Sequence, residues 1–135
     1  RIGVFGLGIE LKGLVPKDLY TNTIYEDPIE KANYYAKLLK VEEKCNLVVC
    51  LSHLGYQYSE DKVSDVTMAA ATENIDVILG GHTHTFLDKP TVVKNKANQD
   101  VLVNQVGCYG INLGRIDFYF DKNKAHTNEG KSIIV

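Results

Sequence analysis

Three of the four histidines in this sequence stand directly after short apolar runs and beside glycines. His53 follows Leu47-Val48-Val49-Cys50-Leu51-Ser52, and His82 and His84 follow Val77-Ile78-Leu79-Gly80-Gly81. Neutral imidazoles donate nitrogen lone pairs to divalent cations, and a catalytic zinc commonly takes three protein ligands plus water. Two imidazoles at i and i+2, on a turn where Gly80 and Gly81 allow close backbone approach, can present nitrogens toward one small volume. His53 alone would read as a structural histidine; the His82-Thr83-His84 pair turns the reading toward metal binding. His126 lies among Lys, Asn, Thr and Glu and reads as a surface residue.

Other chemistries find less support. No Cys-x-x-Cys and no His-Glu-x-x-His is present, which excludes zinc fingers and zincin proteases. Cys45 and Cys108 have no ligand spacing, and Cys50 reads as a small apolar residue within its strand. Ser52 lacks a Gly-x-Ser-x-Gly elbow. Tyr56 and Tyr58 follow His53 on a loop that borders any site there; they are candidates to touch a substrate, with plain aromatic packing as the alternative. Asp76 and Asp88 could ligate or orient the histidines, although Asp76 reads better as a strand start. The spacing does not by itself identify a reaction.

The elements that must position these residues are legible. Ile2 to Leu7 reads as a short buried strand, without the glycine spacing of a dinucleotide fingerprint. Asp27-Pro28-Ile29-Glu30 predicts a helix start, with Asp27 as the cap and Pro28 at the first helical position. Ile29, Ala32, Ala36 and Leu39 then recur at helical spacing above a charged, wet face. Leu47 to Leu51 is a β-branched apolar run too short for a helix, and Ser64-Asp65 caps a second helix through Ala71. Asp76 to Leu79 is the next buried strand. Helix, strand, helix, strand predicts parallel strands joined by crossover helices, with both histidine clusters at strand C-terminal ends, where open α/β sheets place ligands. From Pro90 onward the pattern is antiparallel meander: Thr91-Val92-Val93, Val101 to Val106 and Gly110 to Phe120, a turn at 121–124, then Ser132 to Val135. Within the third of these, Ile116, Phe118 and Phe120 alternate with Arg115, Asp117 and Tyr119, predicting one buried face and one wet one.

Composition bounds the rest. The chain has 135 residues, 44% hydrophobic and 24% charged, with 15 basic against 17 acidic side chains. That suits one domain with a real core, and a net charge of -2 gives no bulk case for a nucleic acid polymer. No apolar run approaches the ~18 residues of a transmembrane helix. Three cysteines cannot all pair within the chain, so no disulfide framework carries the fold. Arg1 opens directly into a strand with no initiator Met and no signal-like lead-in, so the expectation is that something precedes it.

Ile-Gly-Val-Phe-Gly-Leu at 2–7, Leu-Ser-His-Leu-Gly at 51–55, Asp-Val-Ile-Leu-Gly-Gly-His-Thr-His-Thr at 76–85, Gly107-Cys108-Tyr109-Gly110 and Leu113-Gly114-Arg115 together resemble the 5′-nucleotidase family of calcineurin-like metallophosphoesterases. The resemblance spans nearly the whole chain, in order and spacing. It implies an α/β fold: part of a four-layer α/β/β/α sandwich, with parallel βαβ units followed by antiparallel strands and two adjacent divalent ions, zinc or manganese, at the strand C-terminal edge. By position, His53 and His82 are implied as ligands of one ion and His84 of the other. The family's Asp-x-His, Gly-Asp-x-x-Asp and Gly-Asn-His motifs, its leaving-group histidine with the Asp that orients it, and its nucleotide-recognising domain have no counterpart here.

The resulting expectation is that residues 1–135 form the C-terminal half of a metallophosphoesterase domain, inactive alone and exposing apolar surface that its missing N-terminal half covers. The complete protein would hydrolyse phosphate esters, nucleoside monophosphates or related nucleotides above all, through metal-activated water. By resemblance it would be periplasmic, attached to the cell surface or extracellular. Two alternatives stand beside this: a degenerate, non-catalytic binding module, and a mononuclear zinc hydrolase using His53, His82 and His84 on one ion, which lacks an evident general base.

Overall fold

The computed structural model describes residues 1–120 and 125–135, and only the backbone of 125–129. The turn expected at 121–124 and the side chain of His126 lie outside the described residues. Among the described residues, seven strands and three α-helices follow in chain order: β1 (Ile2–Leu7), α1 (Lys17–Tyr20), α2 (Pro28–Lys37), β2 (Leu47–Ser52), α3 (Asp65–Ala71), β3 (Val77–Leu79), β4 (Thr91–Lys94), β5 (Asp100–Asn104), β6 (Asn112–Phe120) and β7 (Ala125–Ile134).

The helix starts follow from local chemistry. Asp27 accepts the Glu30 backbone N–H at 2.8 Å, satisfying one of the free donors at the head of α2. The helix runs on into a wider π turn, Leu38–Glu42, closed by the Glu43 N–H donating to the Leu38 carbonyl. Ser64 and Thr67 cap α3 reciprocally.

Strands β1, β2, β3 and β5 are mutually parallel, in the order β1-β2-β3-β5, and β4 pairs antiparallel on the outer side of β5. Placement of β5 departs from the expected meander. Val101, Leu102 and Val103 are apolar toward both faces and all buried, so the run belongs inside a sheet beside β3. Its neighbour β4, alternating between half-buried and exposed residues, suits an edge.

One face of this sheet carries the core. Val48, Cys50, Ile78, Val101 and Val103 pack against Ala32 and Ala36 of α2 and Met68 and Ala69 of α3, the small alanines letting helix and sheet approach closely. Each fully buried side chain of Ile or Met size contributes about 1.5–3 kcal/mol. On the opposite face Leu47, Val77 and Leu102 are shielded. Val4, Leu51 and Val92, however, remain 54%, 49% and 58% exposed.

β6 and β7 form a separate antiparallel ribbon. The one-sided burial expected in β6 is not realised: Phe120 and Tyr119 are both exposed, and Ile116, Asp117 and Phe118 are alike half-buried. Alternation creates an apolar face, but burial needs a second layer, and what packs against the ribbon is the chain around it: Val106 and Asn104 beside Gly114, Pro90 beside Gly130, and the Asp88 carbonyl accepting the Ser132 N–H at 2.8 Å.

Candidate metal centre

The parallel register brings the histidines to one edge. Ser52 and Leu79 are the last residues of β2 and β3, so His53 and the His82-Thr83-His84 turn both leave the C-terminal side of the sheet. The His53 N–H continues the ladder by donating to the Leu7 carbonyl at 2.9 Å. Its ring meets that of His82 edge-on, with centroids 5.2 Å apart and planes at 67°. Gly81 permits this: a Cβ there would stand 3.2 Å from His53 Nδ1.

His82 and His84 have φ values of 72° and 53°, in the left-handed region, which costs a non-glycine residue roughly 1–2 kcal/mol. His84 turns toward Tyr109, with ring centroids 6.3 Å apart. Burial, reinforced by His53, Lys62 and His84, lowers the pKa of His82 below the ordinary imidazole value. The neutral imidazole is the form that ligates a metal ion.

Fit to a metal is therefore partial. His53 and His82 have the donor chemistry and the proximity to share one ion. Yet among the described residues no three His, Cys, Asp or Glu side chains gather where one ion could be held. The three histidines divide as a pair and a singleton, and the rest of any ligand set must come from outside these residues.

Other candidates lie elsewhere. Asp76 is at the N-terminal end of β3, the far end of the sheet, where it holds Lys40 Nζ at 2.8 Å and accepts the Val48 N–H at 2.6 Å; it cannot orient the histidines. Asp88 is exposed. Both tyrosine hydroxyls on the loop after His53 are engaged by the protein: Tyr56 with Thr91 Oγ1 at 2.8 Å, and Tyr58 donating to the Leu54 carbonyl at 2.7 Å. All three cysteines are free, and burial pushes the Cys50 thiol up to about 12, leaving it protonated and inert. A cavity of about 530 Å³ opens at the end of β1, lined by Leu7, Glu10, Tyr20, Tyr25 and others, and no histidine lines it.

Two residues that motif reading passed over sit directly beneath the histidine loops. Asp65, fully buried at the first position of α3, accepts a short hydrogen bond from the Ser52 hydroxyl, while its Oδ2 has no partner. Gln105, 2% exposed, lies just beyond β5 under the His82–His84 turn. Asp65 reads in sequence as part of a helix cap and Gln105 as the tail of an apolar strand, so neither carries a signal of burial.

Burial pushes the Asp65 carboxyl up to about 6 from 3.8, partly countered by the Ser52 hydrogen bond. The native state then holds a proton between about pH 4 and 6 that the unfolded chain has released, so the contribution of Asp65 to stability falls as pH rises through this window and is constant above it. The expected loss is on the order of 2–3 kcal/mol. Thermal melts at pH 4 to 8 in the presence of chelator check it: Asp65→Asn, which keeps an acceptor for Ser52, removes that component of the slope and melts no lower than wild type at pH 8. A slope unchanged in Asp65→Asn would refute the assignment.

No family model matches the chain. The trifunctional nucleotide phosphoesterase protein YfkN of Bacillus subtilis (strain 168) is 34% identical over 127 residues, which are 90% of this chain and 8% of that protein. Apyrase of Aedes aegypti is 31% identical over 125 residues, 79% of this chain and 21% of its own length. Among solved structures, a 5′-nucleotidase precursor from Thermus thermophilus superposes with a TM-score of 0.69 at 33% identity, covering 81% of this chain and 23% of that one. The calcineurin-like phosphoesterase YfkN from Bacillus subtilis shares the fold, with a TM-score of 0.69 at 19% identity over 98% of this chain and 44% of that one. The chain thus spans less than half the length of each of these relatives, from 8% to 44%.

Proposed function

The chain belongs to the 5′-nucleotidase family of calcineurin-like phosphoesterases, and from that membership we propose that it forms the C-terminal half of a metal-dependent phosphoesterase domain acting on nucleotides. The observation that carries this reading is the edge-to-face pair of His53 and His82, set at the C-terminal sheet edge of a chain that matches nucleotide phosphoesterases over most of its length. In this reading His53 and His82 hold one divalent ion and His84 a second, the remaining ligands coming from a segment outside residues 1–135. Bound there, zinc or manganese supplies Lewis-acid polarisation of phosphoryl oxygens and makes water a competent nucleophile at neutral pH.

The residues of this chain contribute positioning and charge state. Parallel pairing of β1, β2 and β3 fixes the separation of the two histidine loops, and the depressed pKa of His82 keeps its nitrogen available. The division into a pair and a singleton supports two ions over one, since a mononuclear zinc site needs three ligands around a single point.

Val4, Leu51 and Val92 support a partner layer: an apolar sheet face left this open suits burial under a second sheet from the missing N-terminal half. No helix among the described residues is long and apolar enough to cross a membrane. We place the complete protein in the periplasm, at the cell surface or outside the cell, in keeping with the precursor status of the Thermus relative.

Phosphate release from AMP, ADP and bis(p-nitrophenyl) phosphate tests the proposal. The complete protein is expected to be active with manganese or zinc and silent in excess EDTA. Residues 1–135 alone are expected to be inactive and to self-associate through the open face. A complete protein that binds metal and releases no phosphate from any of the three would instead favour a non-catalytic module.

A further inference from the structure

We infer that Gln105 is the positioning residue that holds the His82-Thr83-His84 turn in its ligating shape; this rests on the metal reading above. The side chain is buried and spans the turn with both ends of its amide. Its Nε2 donates to the Gly81 carbonyl at 2.7 Å, and its Oε1 accepts from the Thr83 hydroxyl at 3.0 Å and from the Thr85 N–H. The backbone partners settle which end is which, because a carbonyl only accepts and an N–H only donates.

The contact with Thr83 extends the grip to the other loop. Having given its hydrogen to Gln105, the Thr83 hydroxyl accepts from the Tyr56 N–H at 3.0 Å, and Thr85 Oγ1 at 3.0 Å must be a donor to it. Tyr56 lies three residues beyond His53, so one amide ties the His53 loop to the turn bearing His82 and His84.

The turn needs such a tie. His82 and His84 flank Thr83 in left-handed backbone, and strained non-glycine conformations persist only where surrounding contacts over-determine them. A side chain that both donates and accepts is required: leucine offers neither, and an ionised glutamate accepts without donating. With Gln105 removed, the backbone relaxes and both imidazoles leave their orientation. Outer groups that orient metal ligands characteristically affect metal affinity by about 10–100-fold.

The test compares Gln105→Leu and Gln105→Glu in the complete protein. By chelator competition, Gln105→Leu is expected to bind zinc about 10–100-fold more weakly than wild type, and in metal-free protein its Thr85 amide exchanges at least about tenfold faster. Gln105→Glu keeps the acceptor for Thr83 and Thr85, so Thr85 exchange stays near wild type and zinc affinity falls less than in the leucine variant. If Gln105→Leu does not fold, the glutamate variant decides alone: protected Thr85 with a measurable loss of zinc affinity supports the inference, and wild-type affinity overturns it. Equal losses in both variants, or unchanged zinc affinity in Gln105→Leu, likewise overturn it. Wild-type protein that takes up no metal sinks the functional proposal instead, and Thr85 exchange still reports whether Gln105 holds the turn.

Discussion

Alanine in place of His82 is expected to lower phosphate release by the complete protein about a thousandfold or more and to remove about one metal ion per chain. The magnitude follows from what an ion contributes to phosphoryl transfer, several kcal/mol of charge stabilisation at roughly 1.4 kcal/mol per tenfold in rate. His82 meets the His53 ring edge-on, and burial lowers its pKa so that its neutral nitrogen is free to take an ion. Its side chain packs into no hydrophobic core, so loss of activity should come without loss of fold. Turnover of AMP together with metal content by elemental analysis measures both effects. Wild-type rate and metal content in His82→Ala would refute the ligand assignment, whereas loss of activity with full metal content would make His82 a substrate contact.

Gly80→Ala is expected to cost about 2–3 kcal/mol of stability and to weaken metal binding with it. A Cβ at Gly80 would collide with Asp65 Oδ2 and come within 3.1 Å of its Cγ and 3.2 Å of Gln105 Nε2. Asp65 is fully buried and tied to Ser52, so it can yield only by breaking that bond or pushing β2 from β3. Urea denaturation reads the stability term, and a double-mutant cycle with Asp65→Ser identifies its source. Removing the carboxylate should relieve most of the penalty. Additive costs in the double variant, or an unchanged midpoint in Gly80→Ala, would show that the sheet end is slack and that Gly80 is not placed there to admit a carboxylate.

Much of this architecture is legible in the linear chain because it depends on local or periodic physics. The cap at Asp27 needs only an oxygen three residues before a free N–H. The strands ending at Ser52 and Leu79 are short apolar runs bounded by polar and glycine-rich segments, and a parallel arrangement follows from the helix between them. Placement of His53, His82 and His84 at one sheet edge is therefore a consequence of pattern. β5 was not readable in the same way: Val101 to Val103 fits a meander as well as a parallel sheet by period, and only the vacancy beside β3 selects between them. The same limit applies to Phe118 and Phe120, whose alternation states a preference for burial without supplying a covering layer.

Backbone geometry and hydrophobic periodicity act over a few neighbouring residues, and they make α2, α3, β2, β3 and the shared side of the three histidines readable from the chain, whereas α1 and the π turn at Leu38–Glu42 carry no such signal. Tertiary structure alone decided that His53 and His82 form a pair while His84 stands apart. It also decided that Asp76 lies at the wrong end of the sheet, and that Asp65 and Gln105, 13 and 22 residues from Ser52 and Thr83, lie beneath them. Those relations are contacts between side chains brought together by strand register and loop packing. A buried carboxylate or amide is recognised by what surrounds it in space, and no spacing along the chain encodes that surrounding.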